Sequence, residues 1–288
     1  GHSRTRRTSQ ARAGYNATTT FNTYTEDVLM AWKKSDPSFG MGYTRGGKQE
    51  ITLIPIDYKH GDLPLKGYIA YDKAHESRKP GVLVIHDLWG ASTSFIQERA
   101  IEMAKLGYVG FVIDMFGADN RPKTREEAHA LIGPLRADRQ LVRDRANAAL
   151  TVFRDYMRID PQKIAAMGYC LGGMVALELA RSGADLKGAI SLHGMLDTPN
   201  PEDSKNIKGK ILILQGSEDR AAPVEKVTAF REEMQNAKVD WQLNWYGGVV
   251  HSFAVPTAGN DPSTGSAYNE QADKRSQREI KHFLEEIF

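Results

Sequence analysis

Apolar positions along the chain fall into short runs that alternate with longer, helically spaced stretches from Glu50 to the C-terminus. Ile51 to Tyr58 and Leu65 to Tyr71 read as two strands joined through the turn signal His60-Gly61-Asp62. The continuous run Gly81-Val82-Leu83-Val84-Ile85 predicts a strand buried on both faces. A helical stretch from Thr93 to Lys105 follows, ending near Gly107, and Val109 to Ile113 is the next strand. A long helix is predicted around Leu141 to Met157, closed by Asp160-Pro161. Beyond it come a strand at Lys163 to Met167, a helix at Leu171 to Arg181 and strands at Gly188 to Leu192, Ile211 to Leu214 and Trp241 to Trp245. Helices are predicted at Val224 to Ala237 and Asn269 to Ile287. Repeated strand–helix units of this length predict an α/β fold with a mostly parallel central sheet and helices on both faces. Functional residues of such sheets gather at the carboxyl edge of the strands.

The first 48 residues follow a different pattern. Gly1-His2-Ser3 reads as a tag remnant, and the Arg/Ser/Thr-rich stretch to Thr20 reads as flexible. Glu26 to Lys34 predicts a short helix with Val28, Leu29 and Trp32 on one face, before a Gly-rich passage into the body. The expected organisation is an N-terminal extension over 1–48 and one α/β domain over 49–288, with no internal repeat. The composition, 41% hydrophobic with 38 basic against 36 acidic residues, is that of a globular protein with a net charge of +2. Much of the positive excess sits in Arg4, Arg6, Arg7 and Arg12, which argues against a nucleic-acid partner. No apolar run reaches the ~20 residues a membrane helix needs.

The single cysteine excludes an internal disulfide and a four-thiolate zinc site, and leaves a catalytic thiol open. Gly168-Tyr169-Cys170-Leu171-Gly172-Gly173 sits between a predicted strand and a predicted helix. That is the cysteine form of the nucleophile elbow G-x-S-x-G. A strand turning directly into a helix brings the neighbours two positions away so close that only glycine fits, and it aims the thiol over the helix N-terminus. The thiol needs a base and the base an orienting acid. Asp219, in Gln215-Gly216-Ser217-Glu218-Asp219, and His251, after Trp241 to Trp245, follow in the order nucleophile, acid, base. Glu218 is the alternative acid. His193 follows a strand and is a candidate to line the site, with a hydrogen-bonded structural role favoured over it. No histidine pair has metal-ligand spacing, so no metal is expected.

These segments, with His86-Asp87-Leu88-Trp89-Gly90, Asp114-Met115-Phe116-Gly117 and His251-Ser252-Phe253, resemble the dienelactone hydrolase family from about Gln49 onward. The resemblance implies an α/β-hydrolase fold and a Cys170–Asp219–His251 triad cleaving lactones or small esters, without a cofactor. Backbone N–H groups of Leu88 and Leu171 would form the oxyanion hole. Family members commonly carry Glu where this chain has Asp87, an acid that tempers the thiol; its alternative role here is capping the loop. They also carry an arginine where this chain has Val255, so a less anionic ester or lactone is expected unless Arg121, Arg125 or Arg136 compensates. Trp89, Phe116, Tyr169 and Phe253 are pocket candidates and equally core candidates. Ala267-Tyr268-Asn269-Glu270 with Arg275-Ser276 resembles a branch often made with a signal peptide, which tilts the expectation toward export. Thioester, amide or phosphotriester cleavage at the same site, ligand binding by a retired hydrolase fold and redox sensing through Cys170 remain as other readings. Oligomeric state is not legible.

Overall fold

The computed structural model describes residues 49–288. The N-terminal extension and its expected helix lie outside the described residues. Among those described, eight strands form one sheet in the order β1-β2-β4-β3-β5-β6-β7-β8. The first two, β1 (Ile51–His60) and β2 (Leu63–Asp72), make an antiparallel hairpin through Gly61, whose φ of 57° suits glycine. β2 also pairs antiparallel with β4 (Val109–Ile113), with Tyr68 opposite Val112. The remaining pairings are parallel: β4 with β3 (Lys79–Ile85), β3 with β5 (Ile159–Tyr169), then β6 (Gly188–Leu192), β7 (Lys210–Gly216) and β8 (Trp241–Tyr246).

The apolar runs split between two cores as their period of two requires. Leu83 and Ile85 of β3 face one core, with Phe111 and Ile113 of β4. Val82 and Val84 face the other, with Val112. The first face is covered by α2 (Arg125–Ala137), α3 (Arg139–Asp155), α4 (Leu171–Arg181) and α5 (Val224–Ala237). The second is covered by α1 (Ser94–Lys105) and α6 (Glu270–Ile287). A strand buried on both faces therefore has no polar positions to alternate with.

Two elements differ from the expectation. Helix α2 was absent from it, because Gly133 and Pro134 interrupt the apolar pattern. Its start is nonetheless signalled by Thr124, whose hydroxyl accepts the Glu127 N–H at 3.2 Å. Strand β5 begins at Ile159 rather than Lys163. Asp160-Pro161, expected to close the preceding helix, lies inside the strand where its pairing with β3 slips between Lys79 and Gly81, an irregularity that accommodates proline.

The strand order reverses at β3, which has β4 on one side and β5 on the other. A crevice at the carboxyl edge opens at such a reversal. Ile85 pairs with Gly168 there, so the loop after β3 leaves the sheet beside the turn that carries Cys170. A Cβ on Gly172 would run into the carbonyls of Ile85 and His86. Gly172→Ala is therefore expected to lower the unfolding free energy by about 3 kcal/mol, read from the shift of a urea denaturation midpoint.

Candidate active site

Cys170 occupies the turn between β5 and α4 with φ 54° and ψ −111°, a left-handed conformation that a side chain rarely takes. The turn is held by its own N–H, which donates to Leu192 O at 3.0 Å, and by Gly173 N–H donating to Cys170 O at 3.1 Å. A Cβ on Gly168 would collide with the backbone of Gly172. The backbone N–H of Leu171 opens helix α4, where the helix dipole favours negative charge. Among the hydrogen bonds of the described residues, neither Leu171 N–H nor Leu88 N–H donates to a protein acceptor.

His251 Nε2 lies 3.1 Å from Cys170 Sγ, and His251 Nδ1 lies 2.8 Å from Asp219 Oδ2. Because the carboxylate accepts, Nδ1 carries the hydrogen, and Nε2 faces the sulfur. Asp219 is buried, and its oxygens also accept from Gln215 Nε2 at 2.7 Å and from Ala221 N–H at 2.8 Å. Glu218, the alternative acid, is exposed, and its carboxylate accepts from the Ser217 hydroxyl. The loop bearing His251 is tied down by a parallel bridge to Ser266, through His251 N–H to Gly265 O at 3.3 Å and Ala267 N–H to His251 O at 3.0 Å. Burial alone would push the His251 ring down. The charge of a Cys170 thiolate and the hydrogen bond the ring donates to Asp219 outweigh it and raise the ring to about 10.

Asp87 is buried, and its Oδ1 accepts the Trp89 N–H at 2.9 Å, so the carboxylate caps its own loop. Burial pushes this carboxyl above the usual range, while the Trp89 N–H and the charges of His86 and His251 oppose the rise. The His251 influence leaves Asp87 within electrostatic reach of the site. His86 joins two loops: its Nε2 accepts Met115 N–H at 3.0 Å, and its Nδ1 donates to Asp87 O at 2.7 Å.

Of the four aromatic pocket candidates, Trp89 retains exposed surface. Tyr169 and Phe253 are fully buried and Phe116 nearly so. Tyr169 packs edge-on to Phe95, and Phe253 to Tyr246, because these rings complete the core beneath the turn instead of lining an open cavity. Val255 is likewise buried. Arg121 is half-buried and donates to the carbonyls of Gly117 and Asn120, while Arg125 and Arg136 are exposed on α2. His193 is fully buried, with no hydrogen-bond partner on either ring nitrogen, contrary to the expected hydrogen-bonded role.

Two supporting residues escaped the sequence reading. Gln215 fixes Asp219, and its signal was a polar residue at the buried end of an apolar strand. Arg99 lies on the apolar face of α1 with Phe95, Ile96 and Met103. It reaches Ala254 O at 3.3 Å and Asp273 at 3.6 Å, bracing the His251 loop. A charge at an apolar-face position was its signal. Among the described residues no cluster of three or more His, Cys, Asp or Glu is placed to hold a metal ion, and no helix is long and apolar enough to cross a membrane.

The profile of the dienelactone hydrolase family matches residues 65–288. The chain belongs to that family. It is a hydrolase of this group, and its fold superimposes on a dienelactone hydrolase-like promiscuous phosphotriesterase from metagenomic libraries with a TM-score of 0.79. That likeness carries 33% identity and covers 83% of this chain and 99% of the other. An uncharacterised Caenorhabditis elegans protein is 32% identical over 150 residues, 51% of this chain and 94% of that one. A carboxymethylenebutenolidase homolog of Mus musculus is 23% identical over 215 residues, 71% of this chain and 86% of that one.

The charged His251 ring has a measurable signature in this hydrolase. A folded value raised above the unfolded value of about 6.5 contributes stability in full below the latter, and the contribution fades as pH climbs toward about 10. Nitrogen NMR of labelled histidines is expected to show His251 holding its second proton to about pH 10. In Cys170→Ala the midpoint is expected to fall, because the thiolate charge is gone. An unmoved midpoint would mean that the sulfur is not the source.

Proposed function

We propose that this hydrolase cleaves a carboxylic ester or lactone of a small molecule through a Cys170 nucleophile and a thioester acyl-enzyme. The observation that carries the reading is the unbroken line from Cys170 Sγ through His251 to Asp219, at 3.1 and 2.8 Å. His251 takes the thiol proton and Asp219 stabilises the imidazolium. The thiolate attacks the carbonyl carbon, and the resulting oxyanion is received by the N–H groups of Leu171 and Leu88, such a donor lowering the barrier by about 3 kcal/mol. As the tetrahedral species collapses, His251 returns its proton to the departing alkoxide. A lactone thereby opens to a hydroxyacyl thioester. His251 then takes a proton from water, the hydroxide adds to the thioester, and the thiolate leaves as the carboxylic acid forms.

The substrate's acyl group is read as weakly anionic or neutral. Val255 offers no cation, and the guanidinium of Arg121 is engaged by two backbone carbonyls. Phosphotriester cleavage is the second reading, favoured by the likeness to the phosphotriesterase. A thiolate beside an imidazolium attacks phosphorus as it attacks carbon.

A panel of chromogenic short-chain esters, lactones and phosphotriesters, with wild type and Cys170→Ala, tests the reading. Turnover of an ester or lactone is expected to fall about 10⁴-fold in the variant and to be lost on treatment with iodoacetamide. Activity that survives removal of the thiol overturns the mechanism. Turnover confined to phosphotriesters replaces the first substrate class with the second.

A further inference from the structure

Four residues other than glycine take a positive φ among those described: Cys170, His193, Lys238 and Ser252. Lys238 ends helix α5, a common place for that conformation. The other three meet at one site, since Cys170 bonds His251 and Ser252 follows it. His193 therefore carries two costs. Its backbone is held at φ 38°, and neither nitrogen of its fully buried ring is hydrogen-bonded to another residue. A phenylalanine would avoid the second cost and a glycine the first. Strain and unpaired polarity concentrated on one residue point to a use for it.

The use is legible in what the ring touches. Its centroid lies 5.3 Å from that of His251, nearly perpendicular at 71°. Phe253 packs against another side at 5.2 Å and Tyr169, the neighbour of Cys170, at 5.9 Å. The His193 N–H donates to Leu214 O at 2.9 Å, fixing the backbone between β6 and β7. His251 is thus gripped at Nδ1 by Asp219, faces the sulfur at Nε2, and has the His193 ring against it.

We propose that His193 is a positioning residue, whose imidazole backs the His251 ring, holds it in line with Cys170 and supports its charged form. The inference rests on the pairing of Cys170 with His251 described above and extends it to a third side of the base. The charged or titratable groups facing His193 are His251 from the loop after β8, Tyr169 from β5 and Arg99 from α1. Burial first, then the charges of His251 and Arg99, keeps the His193 ring neutral well below the ordinary histidine range. A neutral imidazole carries a ring dipole that a phenyl ring lacks, and it lies against the neighbouring imidazolium without net charge. A charged one would repel it across a buried contact.

The test follows the rate of Cys170 alkylation by iodoacetamide against pH, with kcat and KM on any ester turned over. His193→Phe keeps the ring shape and removes the nitrogens. Its alkylation midpoint is expected to move upward by about one pH unit, and kcat to fall about tenfold with KM nearly unchanged. His193→Asn suits a positive φ and removes the ring. It is expected to be folded and to alkylate more slowly across the profile. A folded Phe variant with wild-type midpoint and kcat overturns the proposal. If the Phe variant does not fold, a wild-type alkylation profile in the Asn variant does so. Nitrogen NMR of the wild type adds a reading free of substitutions: a His193 ring that charges together with His251 also overturns the proposal. Alkylation needs no substrate, so an enzyme that turns over no ester sinks the proposed reaction without touching this inference.

Discussion

The left-handed turn at Cys170 is the constraint on which the rest of the molecule depends. A strand that becomes a helix within one residue can do so only if the backbone folds tightly around it. That demand removes the side chains at Gly168 and Gly172, which press on the helix start and on the end of β3. It also leaves the Leu171 N–H at the head of α4, next to Cys170 in the chain. Strain of this kind costs on the order of 1–3 kcal/mol and persists only where packing over-determines it. The packing here is supplied by the sheet on both sides: Leu192 O receives the Cys170 N–H from β6, and Ile85 abuts Gly172 from β3.

Parallel strands make the rest of the site a matter of geometry. Cys170 and His251 are 81 positions apart and Asp219 and His251 are 32 apart, yet each lies just beyond the carboxyl end of a strand. The sheet delivers those ends to one edge, and the loops need cover only a short distance. Held this way, Asp219 is buried on three donors, and His251 is fixed by a bridge to Ser266 and by Arg99 acting through Ala254. The two cores meet at this edge. The one under α3 and α4 packs Leu171, just after Cys170, while the one under α1 and α6 packs Tyr169, just before it, and Phe253 and Ala254 after His251.

Departures from the family pattern gain a physical meaning in this setting. Asp87 spends one oxygen on capping its loop at Trp89, which the shorter side chain reaches readily. Burial makes this carboxyl reluctant to ionise, and the charges of His86 and His251 oppose that. Val255 lies in the core, and the rings of Tyr169 and Phe253 close the space behind the base. Leu88 and Trp89, in the loop after β3, are the half-buried positions among these candidates.

Much of this was legible along the chain. The alternation of runs specified the parallel sheet and most helix limits, because burial on both faces leaves a continuous apolar signature. The glycine spacing around Cys170 marked the tight strand-to-helix turn, because only a turn of that tightness requires it. Chain order marked Asp219 and His251. Other features were decided by the tertiary structure alone. Asp219 and Glu218 are adjacent and chemically alike, and their roles separate only through burial. Helix α2 is hidden by Pro134, since its packing against α3 overrides local propensity. Aromatic residues near a motif read the same whether they line a cavity or fill a core, and neighbours from distant strands determine which. The unpaired ring of His193 has no counterpart in sequence. A missing hydrogen bond is a property of the surroundings, and those come from four separate stretches of the chain.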